Sequence, residues 1–180
     1  MQANVNVIEE TLPIGVNDDS RIIDTGASET ERKWSRIRAY GFSLGHFNFL
    51  LPQGLFCELI AHVKLAPLPN SPQHFSGLVA VRGNLIPVYT LHGLLDMPTP
   101  TKTFVFVMGN GAKSAALLVA EKPEMVDFNA LQEVPVNQTE VPDLLHSSVT
   151  SCYKLDGKEE SKPWLSIDHI RLFKFLSGLV

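Results

Sequence analysis

The chain is poor in the residues that carry most protein chemistry. Its 180 residues include two cysteines, Cys57 and Cys152. They are far apart and form no CxxC pair, and so few thiols fit a reducing compartment. The six histidines, His46, His62, His74, His92, His146 and His169, lack the close spacing of a metal pair. No metal site and no cofactor is expected. Positive charge is also short: 15 Lys and Arg stand against 19 Asp and Glu, a net charge of −4 with a pI near 5.8. No aromatic-plus-lysine stripe occurs, so no nucleic-acid partner is expected. No apolar run approaches the roughly 18 residues that span a membrane. The N-terminal stretch MQANVNVIEETLPIGVNDDS has neither the basic start nor the apolar core of a signal peptide. The reading is a soluble, cytoplasmic protein with no direct membrane insertion.

What the chain does have is core. Hydrophobic residues make up 44% and charged residues 19%. That balance suits one domain, or two small subdomains sharing a core. Residues 1–33 stand apart. They hold seven acidic and three basic residues, so the whole net charge lies there. They read as an acidic, flexible leader or a loosely docked arm.

From Trp34 onward the pattern is strands and turns. Ile37 to Leu44 and Phe47 to Leu51 flank a Gly45-His46 turn. The proline-punctuated LAPLPNSPQ is a loop or extended connection. Gly77–Val81, Leu85–Leu91, Thr103–Met108 and Ser114–Val119 read as strands, the last two joined at Gly109-Asn110-Gly111. Further short strands are expected at Met125–Phe128, Val149–Tyr153 and Trp164–Ile167, and a short amphipathic helix within Asp168–Leu179. Turn signals every ten or so residues without βα alternation indicate an all-β fold of small barrels or a sandwich.

Two catalytic motifs fail on context. Gly41-Phe42-Ser43-Leu44-Gly45 matches G-x-S-x-G, but too little chain precedes it for a hydrolase sheet. Gly109 to Ser114, GNGAKS, lacks the glycine directly before the lysine of a phosphate loop. Glu159-Glu160 lies in a polar stretch that reads as a loop. No nucleophile sits beside a base, and catalysis is the weaker class.

The informative stretch is GLVAVRGNLIPVYTL, residues 77–91. Both strand faces are apolar, so each strand reads as covered on both sides. Arg82 interrupts them. Gly83-Asn84 behind it suits a tight reversal with positive φ, and Gly77 opens the run. On this reading alone Arg82 is a solvated turn residue. Pro87 cannot donate to a ladder and marks an edge or bulge.

This stretch resembles the central signature of CheW-like domains: a glycine, apolar residues, Arg82-Gly83, then the apolar-Pro-apolar Ile86-Pro87-Val88. Phe56-Cys57-Glu58-Leu59, Leu68 to Pro72, Ala116–Val119 and Trp164 to Asp168 resemble the flanking segments in order. The resemblance covers 34–180. It implies two small five-stranded SH3-like β-barrels packed together with an apolar groove, and a non-catalytic adaptor. Such proteins couple methyl-accepting chemoreceptors to a CheA-type histidine kinase. The Val81-Arg82-Gly83 form, Trp34 and the acidic leader most resemble the PilI branch of type IV pilus (twitching) systems. It further implies that Glu58 and Arg82 pair at a docking surface. Phe56 and Leu59, beside Glu58, are groove residues or plain core. Polar residues common in the family are replaced by Ala80, Thr90, His92 and Ala120. The rival reading is a small β-barrel ligand carrier or enzyme with its site in the inter-barrel groove.

Overall fold

The computed structural model describes residues 9–10, 38–61, 63–157 and 161–178. The remainder of the leader, Trp34, Ile37, His62 and Glu159-Glu160 lie outside the described residues. Among the described residues the protein is built on two mixed sheets and one α-helix. In the first sheet the order is β1 (Glu9–Glu10), β4 (Cys57–Ile60), β7 (Phe104–Met108), β8 (Ala115–Val119), β6 (Asn84–Tyr89) and β5 (Phe75–Val81). In the second it is β10 (Leu131–Val134), β11 (Val149–Leu155), β12 (Trp164–Ile167), β3 (Phe47–Leu50), β2 (Arg38–Leu44) and β9 (Glu124–Asp127). Neighbours are antiparallel except for the parallel pairs β6–β8 and β12–β3. The helix, α1, spans His169–Gly178.

Both sheets curl. Ile60 of β4 and Val79 and Val81 of β5 share one buried cluster with Val88, Val105, Val107 and Ala116, although β4 and β5 lie at opposite sides of the five strands that β1 extends. Side chains from both sides of a sheet can meet only if the sheet closes over them. In the second sheet Phe128, just beyond β9, meets Tyr153 of β11 edge to face at 5.0 Å, around a cluster of Ala39, Leu50, Val126 and Trp164. The expectation of two five-stranded units is thus exceeded by one strand in each: β1 from the leader and β10, whose sequence LQEV carries no strong strand signal.

Period-2 alternation then assigns every residue of the shared strands to one of two interiors. On β7, Val105 and Val107 point into the first sheet's interior, while Phe106 and Met108 point to the second sheet. On β4, Cys57 and Leu59 face the second sheet and Ile60 the first interior. The region between the sheets is a packed core rather than an open groove. It is centred on Phe42, Phe49, Phe106 and Leu117, with Leu172 and Leu176 of α1 closing one side. Asp168 precedes helix α1 and caps it, its Oδ1 accepting from the backbone N–H groups of Ile170 and Arg171 and so satisfying two orphan donors. Ile170, in the first turn of this helix, is 68% exposed.

Pro87 does not mark a sheet edge. Strand β6 runs between β5 and β8. The backbone N–H and C=O of Leu78 both bond to Ala66, each at 2.9 Å, so the opposed pair Leu78–Pro87 turns its backbone groups outward. The missing N–H of Pro87 therefore faces β8, where pairing starts only at Val88. The bulge lies one step away, between Phe75 and Gly77. Gly77 has φ +125°, and a Cβ there would sit 2.5 Å from the carbonyl oxygen of Ala66. Gly77→Ala is expected to lower stability by about 2–4 kcal/mol, from backbone strain plus overpacking against main chain. Urea unfolding followed by circular dichroism measures it, and a loss within error of zero contradicts the assigned contact.

Candidate functional site

The β5–β6 hairpin turns in two residues. Val81 and Asn84 are opposed, so the central residues are Arg82 at φ +48° and Gly83 at φ +82°. This is the left-handed pair of a type I′ turn. The expected turn pair Gly83-Asn84 is thus displaced by one: Asn84 is the first residue of β6, and the arginine itself takes the left-handed position. That conformation costs an L-residue other than glycine about 1 kcal/mol. A side chain at Gly83 would meet only open space, so the need for glycine there is conformational only.

From this turn Arg82 reaches across the mouth of the curled sheet. Its Nη2 lies 3.2 Å from Oε1 of Glu58. Glu58 alternates with Cys57 and Leu59, so it points into the first sheet's interior, and its side chain is only 4% exposed. The arginine side chain is 48% exposed. One guanidinium nitrogen makes the contact, not a two-point fork, and donor groups remain at the surface. The structure therefore joins Glu58 and Arg82. It turns Leu59, expected beside them, to the opposite face of β4. Leu59 is 8% exposed and belongs to the core between the sheets, opposite Phe106. Phe56 is half-buried just before β4, its carbonyl accepting from Gly109 N–H at 2.9 Å.

The sequence reads the outer face of the hairpin as covered. It is open. Val79, Val81, Ile86 and Val88 are buried, but Ala80 and Leu85, directly opposed, are exposed, and Leu78 and Pro87 are half-buried. Leu85 is 71% exposed. Alternation could not reveal this, because both faces are apolar in sequence and only the layer count decides which is covered. An apolar ladder thus ends at the Arg82–Glu58 pair.

Thr90 and His92 form a buried polar pair. Thr90 Oγ1 and His92 Nδ1 are 3.0 Å apart, and burial pushes the His92 imidazole below its usual range. A second buried histidine, His74, just before β5, joins its Nε2 to the carbonyl of Leu176 at 3.2 Å, tying the start of that strand to the end of α1. Ser43, of the failed elbow motif, donates to Oδ1 of Asn48 on the paired strand. Burial raises the Cys57 thiol to about 12, so it is no thiolate nucleophile at neutral pH. Among the described residues no group of three metal-ligating side chains occurs, and no helix is long and apolar enough to cross a membrane.

These features meet in one comparison. Residues 38–175 match the model of the CheW-like domain. The chain belongs to the CheW-like family. Among solved structures it is similar to the scaffolding protein TtCheW from Thermoanaerobacter tengcongensis, with 20% identity and a TM-score of 0.54, covering 73% of this chain and 88% of that one. At that identity the likeness speaks for the fold. No sequence among curated proteins matches the chain significantly. Family membership supports an adaptor role in chemosensory signalling and fits a protein without catalytic machinery.

Two outcomes follow from the geometry. Arg82→Ala keeps the left-handed strain and leaves Glu58 unpaired, so it should lose about 1–2 kcal/mol, less than a fully buried pair because water reaches the arginine. Arg82→Gly loses the pair but relieves the strain, and should be about 1 kcal/mol more stable than Arg82→Ala in urea unfolding. Equal stabilities contradict the strained turn. The second concerns pH. The folded state holds His92 below the ordinary 6.5. Below that value the unfolded chain takes up the proton first, so stability is full above 6.5 and falls as pH drops through it. His92→Gln should flatten the decline in unfolding free energy between about pH 7 and pH 5; an unchanged slope refutes it. His169, also lowered by burial but raised in part by Asp168, contributes a remaining slope of the same sign.

Proposed function

We propose that this protein is a non-catalytic adaptor coupling chemoreceptors to a CheA-type histidine kinase, and that it docks through the β5–β6 hairpin. One observation carries the reading: the buried carboxylate of Glu58 holds a left-handed Arg82 beside an open apolar ladder. Leu78, Ala80, Leu85 and Pro87 supply contact area without hydrogen-bonding demands. Arg82 supplies donors that fix the register of the partner. Phe56, half-buried at the start of β4, extends the surface, while Leu59 contributes through the core behind it. Apolar contact ringed by one oriented charge favours specific, reversible association, which is what a coupling protein requires. The Val81-Arg82-Gly83 form, Trp34 and the acidic leader support the PilI branch, and hence a type IV pilus system as the pathway.

The reading predicts that the wild-type chain co-purifies with the CheA-type kinase and the receptor tip of its own cell. Leu85→Asp should weaken at least one of these associations tenfold or more, about 1.4 kcal/mol, without loss of fold, since the side chain is 71% exposed. Arg82→Glu should act in the same direction. If both variants bind like wild type, the hairpin is not the docking surface. If the wild-type chain binds neither protein, the adaptor role is wrong.

A further inference from the structure

Two recesses of opposite chemistry lie close together on the surface. The first, of about 400 Å3, has the half-buried Phe47, Leu94, Leu95 and Leu144 on its walls and Asp96, Glu140 and Asp143 as its charged members. Among the described residues no lysine or arginine lines it. Asp96 sits at φ +52° at the end of the Gly93–Leu95 turn. Asp143 has His146 at 3.9 Å. The second recess is lined by Ser147, Arg171, Lys174, Phe175 and Gly178, so a cationic rim surrounds an apolar floor on α1. Ile170, on the same helix, is 68% exposed. Arg171 keeps a contact with Asp168 at 3.3 Å, yet its side chain is 65% exposed. Leu144 lines one recess and Ser147 the other. Only Leu145 and His146 lie between these two residues, which are thus at most about 11 Å apart.

From this juxtaposition we infer that the chain pairs with a second copy of itself. Helix α1 of each protomer seats Ile170 and Lys174 in the acidic recess of its partner. The complement of the acidic recess is an amphipathic helix carrying cations beside exposed apolar residues, and the molecule displays one within a short span of that recess. Adjacent opposite patches also suit a two-fold arrangement. Rotation about an axis between them sets each recess against the other protomer's helix, so every favourable contact is made twice and the assembly closes as a dimer. Apolar floors provide the burial, and opposite rims set orientation. Neither recess includes the β5–β6 hairpin, so the inference stands apart from the adaptor reading and leaves that surface free in the dimer.

Sedimentation velocity of the full chain, at low and high salt over a range of concentrations, tests it. A monomer–dimer equilibrium is expected, weakened roughly tenfold by high salt, because rim charges are screened. Lys174→Glu and Asp143→Lys should each raise the dissociation constant about tenfold or more, and the combined swap should recover most of the wild-type value. Both positions are exposed, and far-UV circular dichroism verifies that the fold is kept. A chain that stays monomeric at the highest concentration in low salt overturns the proposal. So does a dimer indifferent to both reversals, or one that the swap does not rescue. Assemblies growing beyond the dimer overturn the two-fold arrangement. A recess that binds a basic peptide while the chain remains monomeric shows that the occupant is another protein.

Discussion

The contact between Glu58 and Arg82 spans the mouth of a curled sheet. The carboxylate comes from β4, at one side of the five strands that curl, and the guanidinium from the turn after β5, at the other. Everything at this end of the molecule is conditioned by that span. The sheet must curl for the two sides to meet. The hairpin must turn in two residues for Arg82, and not a neighbour, to stand over the opening. The left-handed pair Arg82-Gly83 supplies such a turn, because its twist matches that of the flanking strands. Alternation on β4 must then place Glu58 inward while Cys57 and Leu59 serve the core between the sheets. A slip of one residue would put the carboxylate into that core and a leucine at the opening.

Double-sided burial explains the rest of the architecture. Strands β4, β7 and β8 each serve two interiors, and their sequences CELI, FVFVM and AALLV are accordingly apolar almost without interruption. Strands β5 and β6 have the same kind of sequence, but among the described residues no second layer lies over the outer face of their hairpin. The apolar surface left over is short and sits beside the ion pair that closes the sheet. The coincidence of exposed Leu85 and oriented Arg82 is a feature that asks for a partner.

The strand pattern was largely legible because turns and period-2 alternation are local. Turn residues bracket β2, β3, β7 and β8, and the Asp168 cap opens α1. What stayed hidden depends on layers. Leu59 beside Glu58 could have lined a groove or filled a core, and only the second sheet's position assigns it to the core. Pro87 sits in an interior strand without penalty because pairing to β8 begins one residue later, a register fact that no local pattern contains. β10 eludes the reading because its LQEV alternates weakly, and its pairing with β11 is decided by tertiary closure. The closeness of Glu58 and Arg82 came through likeness to a family. Twenty-four residues separate them, and nothing in their spacing brings them together.

The pair is hard to explain as a stabilising device. Taking a carboxylate out of water costs several kcal/mol, and a half-exposed arginine recovers only part of it. The left-handed backbone adds about 1 kcal/mol more. A leucine at position 58 would fill the interior without needing a counter-charge, and an asparagine or glycine at position 82 would satisfy the turn. Replaced together, the two residues could leave a hairpin at least as stable. Changed singly, each exposes the other's cost. Local sequence preference and global packing thus disagree at Arg82 and agree along the strands that lead to it. Natural proteins keep such conflicts chiefly at functional or strained positions, which is the ground for proposing this one as a docking contact. What the pair provides is a charged group of fixed direction at the end of an apolar ladder, supported from inside the fold and open to solvent from outside. A lysine in its place would be a flexible point charge, unable to present several directed donors to a partner while one stays tied to Glu58.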